Sequence, residues 1–196
     1  MKTFIQLALS AFMAGVCISV GCIVNLQVGG IAGAILFTFC LVAVVHYQYK
    51  LYTGTAGFVD YLHGYEILNF AGILLMNIVG CYAMSKLAGF AILSVSEKAS
   101  LLLDARVGVD NWQALLRAVM CGFLMTTAVK FAREGRIIPL LFAVPVFILA
   151  GFYHSIADAF YMFAADRSSL GYSYAFVVLG NLIGCNLHHI TLGLND

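Results

Sequence analysis

The feature that most constrains this chain is a series of long apolar runs that contain no charged residue. A helix that spans a bilayer needs about 20 predominantly apolar residues. Runs of roughly that length recur at positions 7–24, 28–45, 67–84, 137–157 and 171–187. A shorter run at 118–129 becomes long enough if Arg117 and Lys130 extend their charged ends toward the interface. The pattern predicts an all-α membrane protein with six transmembrane helices.

The composition agrees with this interpretation and excludes several classes of function. The chain is 63% hydrophobic and 10% charged, whereas soluble domains are about 25% charged. Too little remains outside the runs for a soluble domain, so we expect a single transmembrane domain over 1–196. The net charge of +1 and the lack of a basic stripe with interleaved aromatics argue against nucleic acid. The six cysteines lie in apolar runs without metal-ligand spacing, so we expect packing roles, no metal and no cofactor.

The basic residues of the loops predict the orientation. Lys130, Arg133 and Arg136 cluster in the short fourth connection, which the positive-inside rule places in the cytoplasm. With six spans, both termini are then cytoplasmic, in a multi-pass protein of the inner (plasma) membrane. The third connection also carries basic residues, but acidic residues dilute them. A signal peptide is the less favoured reading of the first run, which is long for one and is followed by five more runs.

Two short strings suggest an internal repeat. NIVGC at 77–81 resembles NLIGC at 181–185, and LYTG at 51–54 resembles FYHS at 152–155 with a similar separation. Three spans per half force the two halves into opposite orientations, which is the inverted-repeat plan of many transporters. We therefore predict a first repeat at about 1–86, a connection at 87–111 and a second repeat at about 112–196.

The second and fifth runs end in residues that do not suit a straight helix in lipid. After Val45 the chain reads HYQYKLYTGTAGFVDYLHG, which is polar, aromatic and rich in glycine, and the fifth run leads into GFYHSIAD. Irregular backbone at membrane depth is tolerated only where it is buried in protein or lines a cavity. We therefore predict that both spans are interrupted and that the breaks meet near the bilayer centre, as in an aquaporin-like bundle.

The same segments resemble the formate/nitrite transporter family. GFYHSIADAFYM is similar to its fifth-span signature, which usually reads GFEHSxANMF, and LYTGT resembles its second-span loop, LFTGN or LFTST. MNIVGC and GNLIGC look like its paired asparagine–glycine elements in spans three and six. The likeness implies six spans, an inverted repeat and a homopentamer with a pore in each subunit. It also implies transport of small monovalent anions such as formate, nitrite, hydrosulfide, acetate or lactate.

The resemblance assigns roles by position. His154 would be the central pore histidine, Thr53 would face it, and Asn181 would support the break from span six. Four residues would form two apolar constrictions: Leu41 and Tyr52 near one, Phe37 and Phe147 near the other.

Four departures from the family pattern bear on specificity. Tyr153 replaces the usual glutamate, Asp158 an asparagine, Lys50 an acidic residue and Thr126 the asparagine of span four. We regard Lys50, Tyr153 and Asp158 as candidates for tuning the site. Asp158 lies one helical turn from His154, so it either pairs with the imidazole and favours its charged form or points away, toward a subunit contact.

These observations predict a channel or proton-coupled transporter for a small weak-acid anion. Moving a bare anion through an apolar constriction costs on the order of 20 kcal/mol in the Born limit, whereas the neutral acid avoids most of that cost. A pore histidine can supply a proton or a hydrogen bond near working pH. The alternatives are a channel for small neutral solutes, a membrane enzyme using His154 and Asp158 as acid and base, and a pentamer without transport. The enzyme is disfavoured because no third catalytic group or cofactor motif is present in the sequence.

Overall fold

Every regular element that the structure describes is a helix. The computed structural model describes residues 2–59, 61, 63–167 and 172–192. Met1, position 171 at the start of the sixth apolar run, and the last four positions of the predicted second repeat lie outside this set. The helices are α1 (Lys2–Val28), α2 (Gly30–His46), α3 (Tyr52–Thr55), α4 (Gly64–Ala91), α5 (Ser94–Asp104), α6 (Asn111–Arg133), α7 (Ile138–Leu149), α8 (Ser155–Ala164) and α9 (Tyr174–Leu192), and a 3₁₀ turn at Ala56–Phe58 extends α3.

Three of these helices are long and apolar enough to cross a membrane. They cover Phe4–Val28, Gly64–Ala91 and Asn111–Arg133. Two further apolar helices are shorter, with 17 residues in α2 and 12 in α7. At about 1.5 Å per residue they extend about 25 Å and 18 Å, less than the hydrocarbon core of about 30 Å. The expectation of an all-helical membrane protein is thus confirmed, while the count of six spans stays a prediction.

The predicted interruptions of the second and fifth runs are present, and both have the same backbone geometry. Gln48 and Gly151 follow the ends of α2 and α7 with positive φ angles of 56° and 69°. The next residue in each break donates its N–H to a carbonyl five residues back, over 2.9 Å in both cases. This is the hydrogen-bond pattern of a Schellman motif, which stops a helix cleanly.

The first break lies at the beginning of the segment in which it was predicted. The chain turns at Gln48, whereas Thr53 and Gly54 lie inside α3. The register of the two halves shifts accordingly. α3 begins at Tyr52 and α8 at Ser155, so Leu51, rather than Thr53, takes the position that His154 has in the second break.

Glycines allow the long helices to approach one another closely. α1 packs mainly against α4, and α6 mainly against α9. A Cβ atom on Gly80 would collide with the carbonyl oxygen of Phe12, and one on Gly184 with that of Val119. Small residues at such crossings are characteristic of membrane helices, whose association depends on close backbone contact.

The two short helices each pack on the opposite half of the chain. α3 contacts α6, and the 3₁₀ turn after it contacts α9. α8 contacts α4 and α1. The long helices of the two halves therefore enclose both breaks, and the start of each short helix lies in the interior of the bundle.

Candidate functional site

The two breaks bring a histidine and a threonine into contact. The hydroxyl Oγ1 of Thr53 lies 2.9 Å from Nε2 of His154. Thr53 is fully buried, and His154 is 3% exposed. The sequence placed these two residues on different spans, and the structure joins them at the start of the two short helices.

The surroundings of the His154 ring decide which nitrogen carries the proton. Nδ1 accepts a hydrogen bond from the backbone N–H of Ala157 over 3.3 Å, so His154 caps α8. Since a backbone N–H can only donate, Nδ1 is unprotonated in this arrangement. The neutral ring then carries its proton on Nε2 and donates it to Thr53, whose own hydroxyl hydrogen is left to bind another acceptor.

Two buried asparagines hold the breaks in place through equivalent hydrogen bonds. The carbonyl oxygen of Asn181 accepts from the N–H of Ser155 over 2.8 Å, and its amide donates to the carbonyls of Tyr153 and Ala118 over 2.9 and 2.8 Å. Asn77 does the same in the first half. It accepts from Tyr52 over 2.8 Å and donates to Lys50 and Ala11 over 2.9 and 2.7 Å.

Two cavities lie near the histidine–threonine contact, one lined by the neighbours of Thr53 in the chain and the other by His154 itself. The larger one, about 420 Å³, opens beside the C-terminal end of α2 and is lined by Leu41, Leu51, Lys50 and Arg133, among others. We call it the Lys50 vestibule. The smaller one, about 70 Å³, is lined by His154, Phe147 and Arg106, among others, and lies toward the α5 side. We call it the Arg106 vestibule.

Apolar side chains separate the two vestibules. Phe37 and Phe147 meet edge to face, with ring centroids 6.0 Å apart. Phe147 also stacks on the His154 ring at 5.6 Å. Leu41 lies one turn after Phe37 on α2 and is 1% exposed. Leu41 thus lines the Lys50 vestibule, Phe147 lines the Arg106 vestibule, and Phe37 contacts Phe147.

The fourth predicted constriction residue, Tyr52, points elsewhere. Its ring stacks on Phe70 at 4.8 Å, and its hydroxyl donates to the carbonyl of Val178 over 3.1 Å. Its neighbour Leu51 lines the Lys50 vestibule instead. α3 begins at Tyr52, so its side chain turns into the bundle, while Leu51 precedes the helix. The constriction role of Tyr52 stays a prediction.

Two of the three candidate tuning residues have defined side-chain partners, and the third lines a cavity. Lys50 lines the Lys50 vestibule. Tyr153 is buried, stacks on Tyr172 at 5.0 Å, and accepts a hydrogen bond from Arg117 over 3.2 Å. The carboxylate of Asp158 pairs with Arg106, at 2.7 Å between Oδ1 and Nη1. From the sequence we expected Asp158 either to pair with His154 or to point toward a subunit contact. The ion pair with Arg106 is neither of these arrangements.

Sequence reasoning missed three residues that line the vestibules: Leu51, Arg106 and Arg133. Arg133 donates to the carbonyl of Gly54 over 3.1 Å, which ties the end of α6 to α3. Arg133 belongs to the basic cluster of the fourth connection, and this position could have indicated a role beside the vestibule. Nothing in the sequence linked Arg106 to Asp158. Among the described residues, no group of three histidine, cysteine or carboxylate side chains could hold a metal ion.

Comparison with known proteins agrees with this geometry. A family model for the formate/nitrite transporter matches residues 1–193. No curated protein matched the chain. A pentameric formate channel with formate bound superposes with a TM-score of 0.78 at 18% sequence identity, covering 94% of this chain and 93% of that one. An FNT family ion channel gives a TM-score of 0.79 at 17% identity, covering 93% and 86%. These two similarities establish the fold, and the family match over nearly the whole length shows that the chain belongs to the formate/nitrite transporter family.

Proposed function

We propose that this protein is a channel or proton-coupled transporter for small monovalent anions such as formate, nitrite or hydrosulfide. The observation that carries the proposal is the buried contact between His154 and Thr53, which lies between two vestibules and behind apolar side chains. The family match supports the transport class. The formate bound to a protein of the same fold supports the anion.

The two vestibules attract the anion and the apolar slits exclude its charge. Lys50 and Arg133 line one vestibule, and Arg106, whose charge Asp158 largely offsets, lines the other, so an anion meets basic N–H donors from either side. Phe37 and Phe147 form one slit, while Leu41 and Leu51 form the other, with Leu51 in the place first predicted for Tyr52. A bare anion would lose its hydration there, at a cost of several kcal/mol even after relaxation.

The anion crosses as its neutral acid, and His154 and Thr53 hold it before and after protonation. In the arrangement described above, Nε2–H of His154 donates to Thr53, and the hydroxyl of Thr53 donates to the anion. Charging the imidazole would require a proton on Nδ1, where the N–H of Ala157 points. The ring therefore acts mainly as a hydrogen-bond donor, and water in the vestibules supplies the proton. Asn181 fixes the backbone that positions the ring.

The architecture that goes with this function has six spans in one transmembrane domain over 1–196. α2 with α3, and α7 with α8, each form one interrupted span. The equivalent hydrogen bonds of Asn77 and Asn181 support an inverted repeat, with halves at about 1–86 and 112–196 and a connection at 87–111. We further propose a homopentamer in the inner (plasma) membrane with both termini in the cytoplasm, on the side of the Lys50 vestibule.

Uptake into proteoliposomes tests the proposal. Formate, nitrite, hydrosulfide and acetate are compared at several external pH values, with protein-free vesicles as the background. We expect uptake that rises as the external pH falls and that drops in the His154→Ala and His154→Asn variants. Uptake of glycerol or water that ignores pH and both substitutions would indicate a channel for neutral solutes instead. Assembled protein that transports nothing would leave only a structural pentamer.

A further inference from the structure

A buried ion pair lies in the wall of the Arg106 vestibule. Arg106 belongs to the connection between α5 and α6, and Asp158 to the first turn of α8. Both line the same cavity as His154. Nη1 of Arg106 lies 2.7 Å from Oδ1 of Asp158, and the two side chains are 17% and 1% exposed. Burying a charged pair costs free energy because both ions lose their hydration. Such a pair in the wall of a cavity that reaches His154 therefore suggests a function.

The neighbours of Arg106 fix the plane of its guanidinium. Nη1 also donates to the hydroxyl of Tyr172 over 3.1 Å, and that hydroxyl donates to Oδ2 of Asp158 over 3.4 Å. The guanidinium carbon lies 4.4 Å from the centre of the Tyr153 ring and 5.8 Å from that of Tyr161. Contacts with aromatic faces and a carboxylate leave the group little freedom to rotate.

Part of the guanidinium remains available to a ligand. Within the described part of the chain, Nη1 makes every hydrogen bond of the Arg106 side chain. Nε and Nη2 make no hydrogen bond with the described residues, and Arg106 lines the cavity with a side chain that is 17% exposed. A guanidinium presents parallel N–H groups whose spacing matches the two oxygens of a carboxylate.

Asp158 also limits how strongly such a site holds an anion. A lone guanidinium in a narrow vestibule would bind the anion tightly and slow its release, whereas conduction needs binding that is favourable but brief. The buried carboxylate offsets most of the positive charge while leaving the N–H geometry in place. The site then recognises shape and hydrogen-bond acceptors more than charge alone.

We propose that Arg106, oriented by Asp158, is an anion-binding position one step before the His154–Thr53 contact. It selects planar anions with two oxygen atoms, such as formate and nitrite, over a single-atom acceptor such as hydrosulfide. This inference rests on the proposed function, because it names which anions that function favours. The family pattern has an asparagine where this chain has Asp158, so the preference belongs to this chain's own residues.

The first test replaces the planar group by a point charge. Uptake of labelled formate into proteoliposomes is measured for the parent and for Arg106→Lys, with nitrite or hydrosulfide added as competitor. We expect the half-saturating formate concentration and the inhibitory nitrite concentration to rise about tenfold, the equivalent of one charge-assisted hydrogen bond. The inhibitory hydrosulfide concentration should stay the same. Arg117→Lys is the matched control, because Arg117 contacts the same Tyr153 ring at 5.3 Å but does not line the cavity.

The second test, Asp158→Asn, separates binding from a merely structural role. The asparagine keeps an oxygen for Arg106 but removes the compensating charge, so we expect a lower half-saturating formate concentration together with a lower maximal rate. A structural role would instead weaken uptake in the same way as Arg106→Lys. If Arg106→Lys is not recovered as folded protein, the Asp158→Asn variant decides by itself. A lower half-saturating formate concentration supports the binding role, and a higher one contradicts it.

The outcomes distinguish this inference from the function on which it rests. A parent protein that takes up hydrosulfide but neither formate nor nitrite, or an Arg106→Lys variant that loses all three anions equally, would overturn the selection and leave anion transport intact. A parent that moves no anion would overturn both.

Discussion

The two asparagines that hold the breaks offer a direct test of the architecture. Asn181→Leu keeps the number and branching of the side-chain heavy atoms but removes three hydrogen bonds, leaving the N–H of Ser155 and the carbonyls of Tyr153 and Ala118 without partners. Leaving a buried polar group unpaired costs about 1–3 kcal/mol. The full loss would be about 3–9 kcal/mol, and about 2 kcal/mol if each bond has the average value measured between membrane helices.

The free energy of unfolding of a typical protein is about 5–15 kcal/mol, so either loss is a substantial part of it. Asn77→Leu should cost a similar amount, because that residue makes the same three contacts in the other half. Asn186→Leu is the matched control. Asn186 lies on the same helix and donates to three acceptors, but it is only half-buried, so water can replace the lost partners.

The assay is thermal unfolding in detergent together with amide hydrogen exchange at Ser155 and Tyr52. We expect lower unfolding temperatures for both buried variants, faster exchange at the affected break, and little change for Asn186→Leu. Formate uptake should fall with the loss of the break. The reasoning is refuted if the variants at the two buried positions unfold like the parent and protect these amides equally well.

Three further variants test the pathway and the packing. His154→Asn should retain the cap on α8, whereas His154→Ala should lose about 1 kcal/mol of unfolding free energy. Both variants should take up less formate. Equal stability of the two variants would contradict the capping contact. Leu51→Ala should widen the slit and raise lactate uptake, whereas Tyr52→Phe should leave uptake unchanged. If Tyr52→Phe changed lactate uptake and Leu51→Ala did not, the constriction would belong to Tyr52, as the sequence predicted. Gly184→Ala should lower the unfolding temperature by pressing on the facing helix, while Gly72→Ala, with open space around it, should not; calorimetry distinguishes them.

The helices were predictable because their signal is spread over many residues. An uncharged apolar run of about 20 residues leaves few alternatives to a helix in lipid. One break is indicated by Gly151, because helices commonly end at a glycine with a positive φ angle. Gln48 adopts the same left-handed conformation without a glycine. Since a non-glycine residue there carries no compositional signal, the sequence predicted the segment that contains the first break but not the residue at which the chain turns.

The site was predictable only where a motif carried it. His154 and Thr53 came from recognisable strings, and they lie 2.9 Å apart. The direction of the Tyr52 side chain was not predictable, because it depends on where α3 begins, and a shift of one residue changes that direction by about 100° on a helix. The pairing of Arg106 with Asp158 depends on how the connection after α5 lies over α8, and residues 52 positions apart have no local pattern that would reveal it.

The equivalence of the two breaks gives the proposed mechanism a reason to use one histidine. The backbone ends and restarts in the same way in both halves, and a buried asparagine holds each restart. At the position before the restart, one half has His154 and the other has Leu51. A second imidazole in place of Leu51 would add polar groups at the apolar slit of the Lys50 vestibule and let a charged anion remain hydrated there. In the proposed mechanism the leucine keeps that slit dry, so the anion is held at the histidine and leaves it only as the neutral acid.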